Sequence, residues 1–282
     1  MNQHPASHTS SRPFLKWSGG KQRLLGELLP RLPRGKRLIE PFVGAGSIFL
    51  ASDFESFVIN DANPDLIAVW SAVQARPAEF IKRASSLFIE SNRAANAYLR
   101  IRATFNAETD RFERAVLFPY LNRFGFNGLF RVSQTGRFNV PYGHPKSIPG
   151  FPWEQMEAAH LKLRRTTVLG GGFMPAMDMA TAEDTLYCDP PYSDSTTGIS
   201  FNGYTPGGFT CQDHEQLVDA GMRAVLRGAT VVISNHDTEA TRELYRGWHI
   251  DTFEVRRSVG ASKASRGLAK ELVATLPFPR SA

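Results

Sequence analysis

Asp189-Pro190-Pro191-Tyr192 is the segment of this 282-residue chain whose residue types best suit chemistry. It follows the apolar run Leu186-Tyr187-Cys188, and a carboxylate at the C-terminal end of a strand lies where open α/β sheets bind ligands. Two consecutive prolines offer no N–H, so they end the ladder and stiffen the loop. The Asp189 carboxylate and Pro190 carbonyl are then two outward acceptors, with the Tyr192 ring beside them. Two acceptors and a flat ring suit an exocyclic amino group on a heterocycle, which has two N–H donors and a π-face. Holding such an amine toward an electrophile can supply about 7–11 kcal/mol of a barrier. The plainer reading is a turn after a strand.

A second group is Gly44-Ala45-Gly46, followed by Asp61. Small residues let a ligand approach the backbone, and a carboxylate ending the next strand can bind ribose hydroxyls. The dinucleotide fingerprint needs a third glycine where Phe49 stands, so a nucleoside ligand without phosphates fits better. A structural tight turn would account for Gly44 and Gly46 equally well. Lys16-Trp17-Ser18-Gly19-Gly20-Lys21 is not a phosphate loop, because Gln22 follows where Ser or Thr is required. His214 and His236 have no partner at ligand spacing, and Cys188 and Cys211 sit in no nucleophile or metal motif, so no metal is expected. Ser234-Asn235-His236-Asp237 ends a strand and could open a helix through an Asp or Asn cap. The Met and Phe residues of Gly172–Met179 read as core.

The elements that must position these groups follow from periodicity. Strands are expected at Arg37–Glu40, Ser56–Asn60, Thr167–Leu169, Thr185–Cys188, Ala229–Ser234, Ile250–Arg256 and Glu271–Leu276. Short helices are expected around Leu24–Leu29 and from Ile48, and longer helical patterns over Pro64–Leu121 and Asp213–Leu226, with one more near Glu239–Tyr245. Leu129–Val132 and Arg137–Val140 flank Ser133-Gln134-Thr135-Gly136, a hairpin signal. The architecture implied is one α/β domain of Rossmann character, with a helical and hairpin insertion between its second and third strands. Residues 1–12 are polar and read as a disordered tail without a signal peptide. With 42% hydrophobic and 21% charged residues the chain is globular, and no apolar run is long enough to cross a bilayer. A soluble intracellular protein is expected.

Net charge is +6, and its distribution matters more than its sum. From Arg114 to Lys146 there are five basic residues, no acidic ones and seven aromatics; Arg256 to Lys270 again holds five basic residues and no acidic ones. Basic stretches interleaved with aromatics suit a nucleic-acid surface, although a solvated face beside an aromatic core reads the same way.

Taken together, the motifs resemble the Dam-type DNA adenine methyltransferases. The matching segments are FLKWSGGK (14–21), EPFVGAGSIFL (40–50), DANPDLI (61–67), RAVLFPYLNRFGFNGLFR (114–131), GRFNVPYG (136–143), YCDPPY (187–192), ISNHDTEATRELY (233–245) and VRRS (255–258), in the family's order. The resemblance implies a Rossmann-like S-adenosylmethionine-dependent catalytic domain formed by residues 13–63 and 160–280, with residues 64–159 as the DNA target-recognition insertion. It implies S-adenosylmethionine as methyl donor, contacted by Trp17, Lys21, Asp61 and Asp189, with the Phe42–Gly46 loop (Gly44 and Ala45 within it) beside the methionine part. A flipped adenine would be held by Asp189, Pro190, Pro191 and Tyr192 and methylated at N6 directly in line, with no metal. The family's target is GATC. Arg131 matches a guanine-reading arginine and Lys16 the contact to the first guanine. Leu129 and Pro141 match the apolar thymine contacts, and Phe126, where the family often has tyrosine, the wedge into the stack. Arg123, Asn127, Arg137 and Asn139 complete the expected DNA-binding set. The partner is double-stranded DNA, with no membrane and no obligate protein partner, in a bacterial cytoplasm, whether nucleoid-associated or phage-encoded. Two other readings stay open: an N4-cytosine methyltransferase, which would mostly carry Ser in place of Asp189, and a catalytically silent DNA-binding regulator on the same fold.

Overall fold

The computed structural model describes residues 12–191, 209–256 and 268–276. The expected N-terminal tail, apart from Arg12, lies outside the described residues. The strands are β1 (Arg37–Glu40), β2 (Ser56–Ile59), β3 (Thr166–Val168), β4 (Asp184–Cys188), β5 (Thr230–His236), β6 (His249–Arg256) and β7 (Leu268–Leu276). The helices are α1 (Leu25–Leu28), α2 (Ser47–Ala51), α3 (Pro64–Ala75), α4 (Pro77–Ser85), α5 (Ala95–Ala107), α6 (Arg111–Phe124), α7 (Trp153–Leu163), α8 (Met174–Asp178), α9 (Cys211–Leu226) and α10 (Glu239–Leu244).

These strands form one seven-stranded sheet in the order β3-β2-β1-β4-β5-β7-β6. The first five run parallel, and β7 inserts antiparallel between β5 and β6. Buried on both faces, the central strands carry unbroken apolar runs, Leu38-Ile39, Phe57-Val58-Ile59, Leu186-Tyr187-Cys188 and Val231-Val232-Ile233, as parallel strands do. Alternation then splits their side chains between two cores. Leu38, Phe57, Ile59, Tyr187 and Val232 pack with the helices between β2 and β3. Ile39, Val58, Leu186, Val231 and Ile233 pack with α8 and α9 on the other face. Cys188 belongs to that second core, where its thiol meets the Met177 sulfur at 3.8 Å.

Strand limits agree with the sequence reading to within a few residues. The hairpin is present as a single antiparallel bridge, Val132 to Phe138, closed by Ser133 N to Arg137 O at 2.8 Å and Gly136 N to Ser133 O at 2.9 Å, and is too short for regular strands. Two helices, α7 and the short α8, were not anticipated. The apolar stripe of α7, Met156, Ala159 and Leu163, is buried, but the intervening charged residues dilute the pattern. The cap of α10 is Thr238, whose side chain accepts from Thr241 N, rather than Asn235 or Asp237.

Candidate active site

The site forms where the C-terminal ends of β1, β2 and β4 meet, the position at which an open α/β sheet leaves a crevice. After β1 the chain turns sharply, with Gly46 N bonded to Val43 O at 2.7 Å. Gly44 and Gly46 carry φ of +50° and +72°, in the left-handed region that glycine occupies at little cost. Crowding adds a second reason. A Cβ on Gly44 would lie 3.0 Å from the Trp17 ring, and one on Gly46 would lie 3.0 Å from the Trp70 ring. Trp70 Nε1 also donates to Gly44 O at 3.1 Å, fixing the loop to α3.

Asp61 lies just beyond β2. Its two oxygens accept from Gly44 N and Asn63 N, both at 2.9 Å, so the carboxylate is oriented by the glycine loop itself. Burial pushes its proton affinity up, and these two hydrogen bonds oppose that shift. Each oxygen retains a further lone-pair direction for a hydroxyl donor. Across the crevice, Lys21 Nζ stands 2.8 Å from Asp189 Oδ1. Lys21 is 7% exposed, so the ion pair is largely withdrawn from water.

Between the two carboxylates is a cavity of about 460 Å³ lined by Trp17, Lys21, Phe42, Gly44, Ala45, Asp61, Asp189, Pro190 and Pro191. Nine of the residues expected to catalyse or to hold the cofactor therefore meet on one surface. Gly46 stands behind the loop against Trp70, and Tyr192 lies outside the described residues. Sequence reasoning missed other lining residues, notably Glu40, Gly171, Gly172, Phe173 and Phe209. Phe173 and Phe209 pack on Phe42 at 5.4 and 5.7 Å between ring centroids, forming an aromatic wall. Of Gly172–Met179, Ala176 and Met177 are core, whereas Gly172 and Phe173 face the cavity. The missed signal was Asn60, whose buried amide donates to Pro41 O at 3.0 Å and Gly171 O at 3.1 Å, tying the β1 and β3 loops together.

A second surface adjoins this one. Phe126 is 49% exposed at a turn where Asn127 adopts φ +53°. Phe126 N donates to Pro141 O at 2.9 Å, which brings the turn against the far strand of the hairpin. Arg131 is exposed, and its Nε donates to Asn139 Oδ1 at 2.7 Å, so Asn139 sets the direction of the guanidinium. Arg137 and Pro141 are exposed and Leu129 is half-buried. Arg123 turns inward instead, donating from Nη2 to Phe14 O at 2.8 Å. Lys16 projects beside the turn, and partial burial with the Arg123 charge nearby lowers its proton affinity. The two surfaces are fastened by Asn122, which accepts from Lys16 N at 2.9 Å and donates to Lys16 O at 2.8 Å and Gly128 O at 3.0 Å. Trp17 stacks on Phe130 at 5.8 Å.

Residues 17–259 match the model of the D12 class N6 adenine-specific DNA methyltransferases. The chain belongs to this family. It is 41% identical over 264 residues to a DNA adenine methylase of Vibrio cholerae, covering 93% of this chain and 95% of that protein. It is 39% identical to the DNA adenine methylase of Escherichia coli K12 and 38% identical to that of Serratia marcescens, covering 94% of this chain and 95% and 98% of those proteins. The chain is thus an adenine-specific DNA methyltransferase, and the cytosine and silent-regulator readings fall. DNA is its substrate class, and the family implies S-adenosylmethionine as methyl donor. The cavity fits that donor: largely apolar walls, two carboxylates in its lining for hydroxyl and cationic groups, and no side chain on Gly44 to narrow it. Among the described residues no helix is long and apolar enough to cross a membrane.

Proposed function

We propose that this enzyme methylates N6 of adenine in GATC, with the cavity between Asp61 and Asp189 holding S-adenosylmethionine and residues 64–159 reading the DNA. The observation that carries the reading is that one segment, Lys16-Trp17, borders the cavity and also anchors the exposed turn. In this reading Trp17, Lys21, Phe42, the Gly44–Gly46 loop, Asp61 and Asp189 hold the cofactor. Bound there, it would supply an electrophilic methyl on a sulfonium that leaves as the neutral thioether, for direct transfer to the adenine amine, which sheds a proton to solvent, without a covalent enzyme intermediate.

The chain's own residues do the positioning. Unstacking the target base costs a few kcal/mol, and Phe126 at the exposed turn is the ring available to fill the gap. Asp189 and the Pro190 carbonyl accept the two amine hydrogens, which draws the nitrogen lone pair out of ring conjugation. Tyr192 supplies the stacking face. Lys21 holds Asp189 from its buried side, so the acceptor is fixed before the base arrives. Arg131, braced by Asn139, reads a guanine through O6 and N7, and Lys16 reads the first guanine. Leu129 and Pro141 meet thymine, with Asn127 and Arg137 beside them. Arg123 supports this surface from within through Phe14. The enzyme acts on bacterial or phage DNA in the cytoplasm.

The test is sequencing of plasmid DNA from a methylation-deficient host expressing the protein, with modified adenines identified at base resolution. N6-methyladenine confined to GATC is expected. The same mark at another sequence would discard the assignments of Lys16, Leu129, Arg131 and Pro141 while keeping the chemistry.

A further inference from the structure

Behind Asp189 a chain of hydroxyl groups runs into the sheet. Ser234, near the end of β5, donates from Oγ to Asp189 Oδ1 at 3.1 Å. Its Oγ also lies 2.9 Å from the Tyr187 hydroxyl on β4. The register explains the meeting. Tyr187 pairs with Val232 and Cys188 with Ile233 in parallel, so Tyr187 and Ser234 project to the same face of adjacent strands, two residues apart in register. Tyr187 is 2% exposed and Ser234 1% exposed.

Proton counting fixes the direction. A serine hydroxyl has one proton, and here it goes to the carboxylate. The Tyr187 hydroxyl must therefore donate to Ser234 Oγ. Burial, reinforced by the Asp189 charge, holds the Tyr187 proton far above the ordinary phenol range, so it remains a donor at any working pH. Lys21 Nζ approaches the same oxygen, Oδ1, from another direction at 2.8 Å. Two donors from different elements thus converge on one oxygen and set the plane of the carboxylate.

We infer that Ser234 and Tyr187 are positioning residues for methyl transfer, a relay that orients Asp189 toward the target amine. This rests on the reading of Asp189 as the acceptor of that amine. A buried hydrogen bond that served only to join β4 to β5 would give stability without affecting the reaction. The relay predicts a rate effect instead, because a misaligned acceptor loses the benefit of preorganisation.

The experiment measures single-turnover methyl transfer from labelled S-adenosylmethionine into unmethylated plasmid DNA, with DNA retention in a gel shift and thermal melting alongside. Ser234→Ala is expected to slow transfer about tenfold, the scale of one hydrogen bond to a charged group. DNA affinity should stay within twofold. Tyr187→Phe should slow transfer about threefold, since Ser234 keeps its own proton, and the double variant should match Ser234→Ala alone. Transfer by Ser234→Ala at the wild-type rate would overturn the relay. So would a double variant slowed by the product of the two single effects, or a loss of rate that follows equal losses of DNA affinity and melting temperature. Should Ser234→Ala melt below the assay temperature, Tyr187→Phe decides: a threefold loss supports the relay and a wild-type rate overturns it. Asp189→Ala, run in parallel, separates the two ideas. An active Asp189→Ala would remove the role of Asp189 itself, whereas an inactive one beside an unaffected Ser234→Ala removes only the relay.

Discussion

The cavity proposed for the cofactor and the turn proposed to face DNA are built by opposite means. In the cavity, backbone atoms and buried side chains fix one another: Asp61 is held by Gly44 N and Asn63 N, Gly44 O by Trp70, and Asp189 by Lys21. On the face proposed to meet DNA the side chains assigned to reading are exposed or half-buried, and the hairpin beneath them has a single bridge. A cofactor of constant shape rewards a site whose geometry is set in advance. A duplex that must be bent open rewards side chains that can adjust, provided their base is anchored. Asn122 and the stack of Trp17, Phe130 and Phe118 provide that anchor, with Phe118 and Phe130 centroids 5.5 Å apart.

This contrast is most easily broken at Asp189. Asp189→Ala should reduce methyl incorporation by roughly 10³-fold or more while DNA retention in a gel shift stays within a few-fold. Equal loss of both would mean that the cavity and the DNA face are one unit. Arg131→Ala should cost about 1–3 kcal/mol and relax discrimination at one base position in a competition assay. Asn139→Ala should reproduce a fraction of that effect at the same position, because it frees the guanidinium without removing it. Uniform weakening on all sequences would make Arg131 a phosphate contact. Gly44→Ala places a Cβ against Trp17 in a left-handed conformation, at about 1–2 kcal/mol. Its effect should fall on S-adenosylmethionine affinity measured by calorimetry and leave DNA affinity unchanged.

The same division explains what the sequence could tell. Gly44, Gly46, Asp61 and Asp189 were legible because each sits at a strand end in a turn whose chemistry is local. Glu40, Phe173 and Phe209 were not, since they reach the cavity only through strand order and the packing of three loops. Ser234 was read only as the end of a strand ahead of a helix cap, because sequence spacing does not reveal that β5 lies beside β4. Arg123 belongs to a basic stretch, but its direction depends on Phe14, 109 positions away. The helix α7 escaped notice because its buried stripe is only three residues wide.

That unanticipated helix carries the smallest effect, and it belongs to the cavity side. Lys162 of α7 donates from Nζ to Leu50 O at 3.1 Å and to Ser52 O, closing the C-terminal end of α2 just behind the glycine loop. Its ammonium lies 4.7 Å from the Phe57 ring centroid. Burial, with Arg165 nearby, lowers its pKa to about 8, and Glu40 and Asp53 pull the other way. In the unfolded chain a lysine holds its proton to near pH 10.4. Between these values the unfolded state binds more protons than the folded one, so this lysine makes stability rise with pH there. Its cost is present in full below pH 8 and relieved by about pH 10. Against Lys162→Met, which does not titrate, the wild type should gain roughly 1–2 kcal/mol across that window after allowance for partial exposure. Urea melts of both proteins at pH 7.5 and 9.5 measure the difference. A constant gap would mean that Lys162 stays charged throughout, held by Glu40, and that α2 is closed by an ammonium at every working pH.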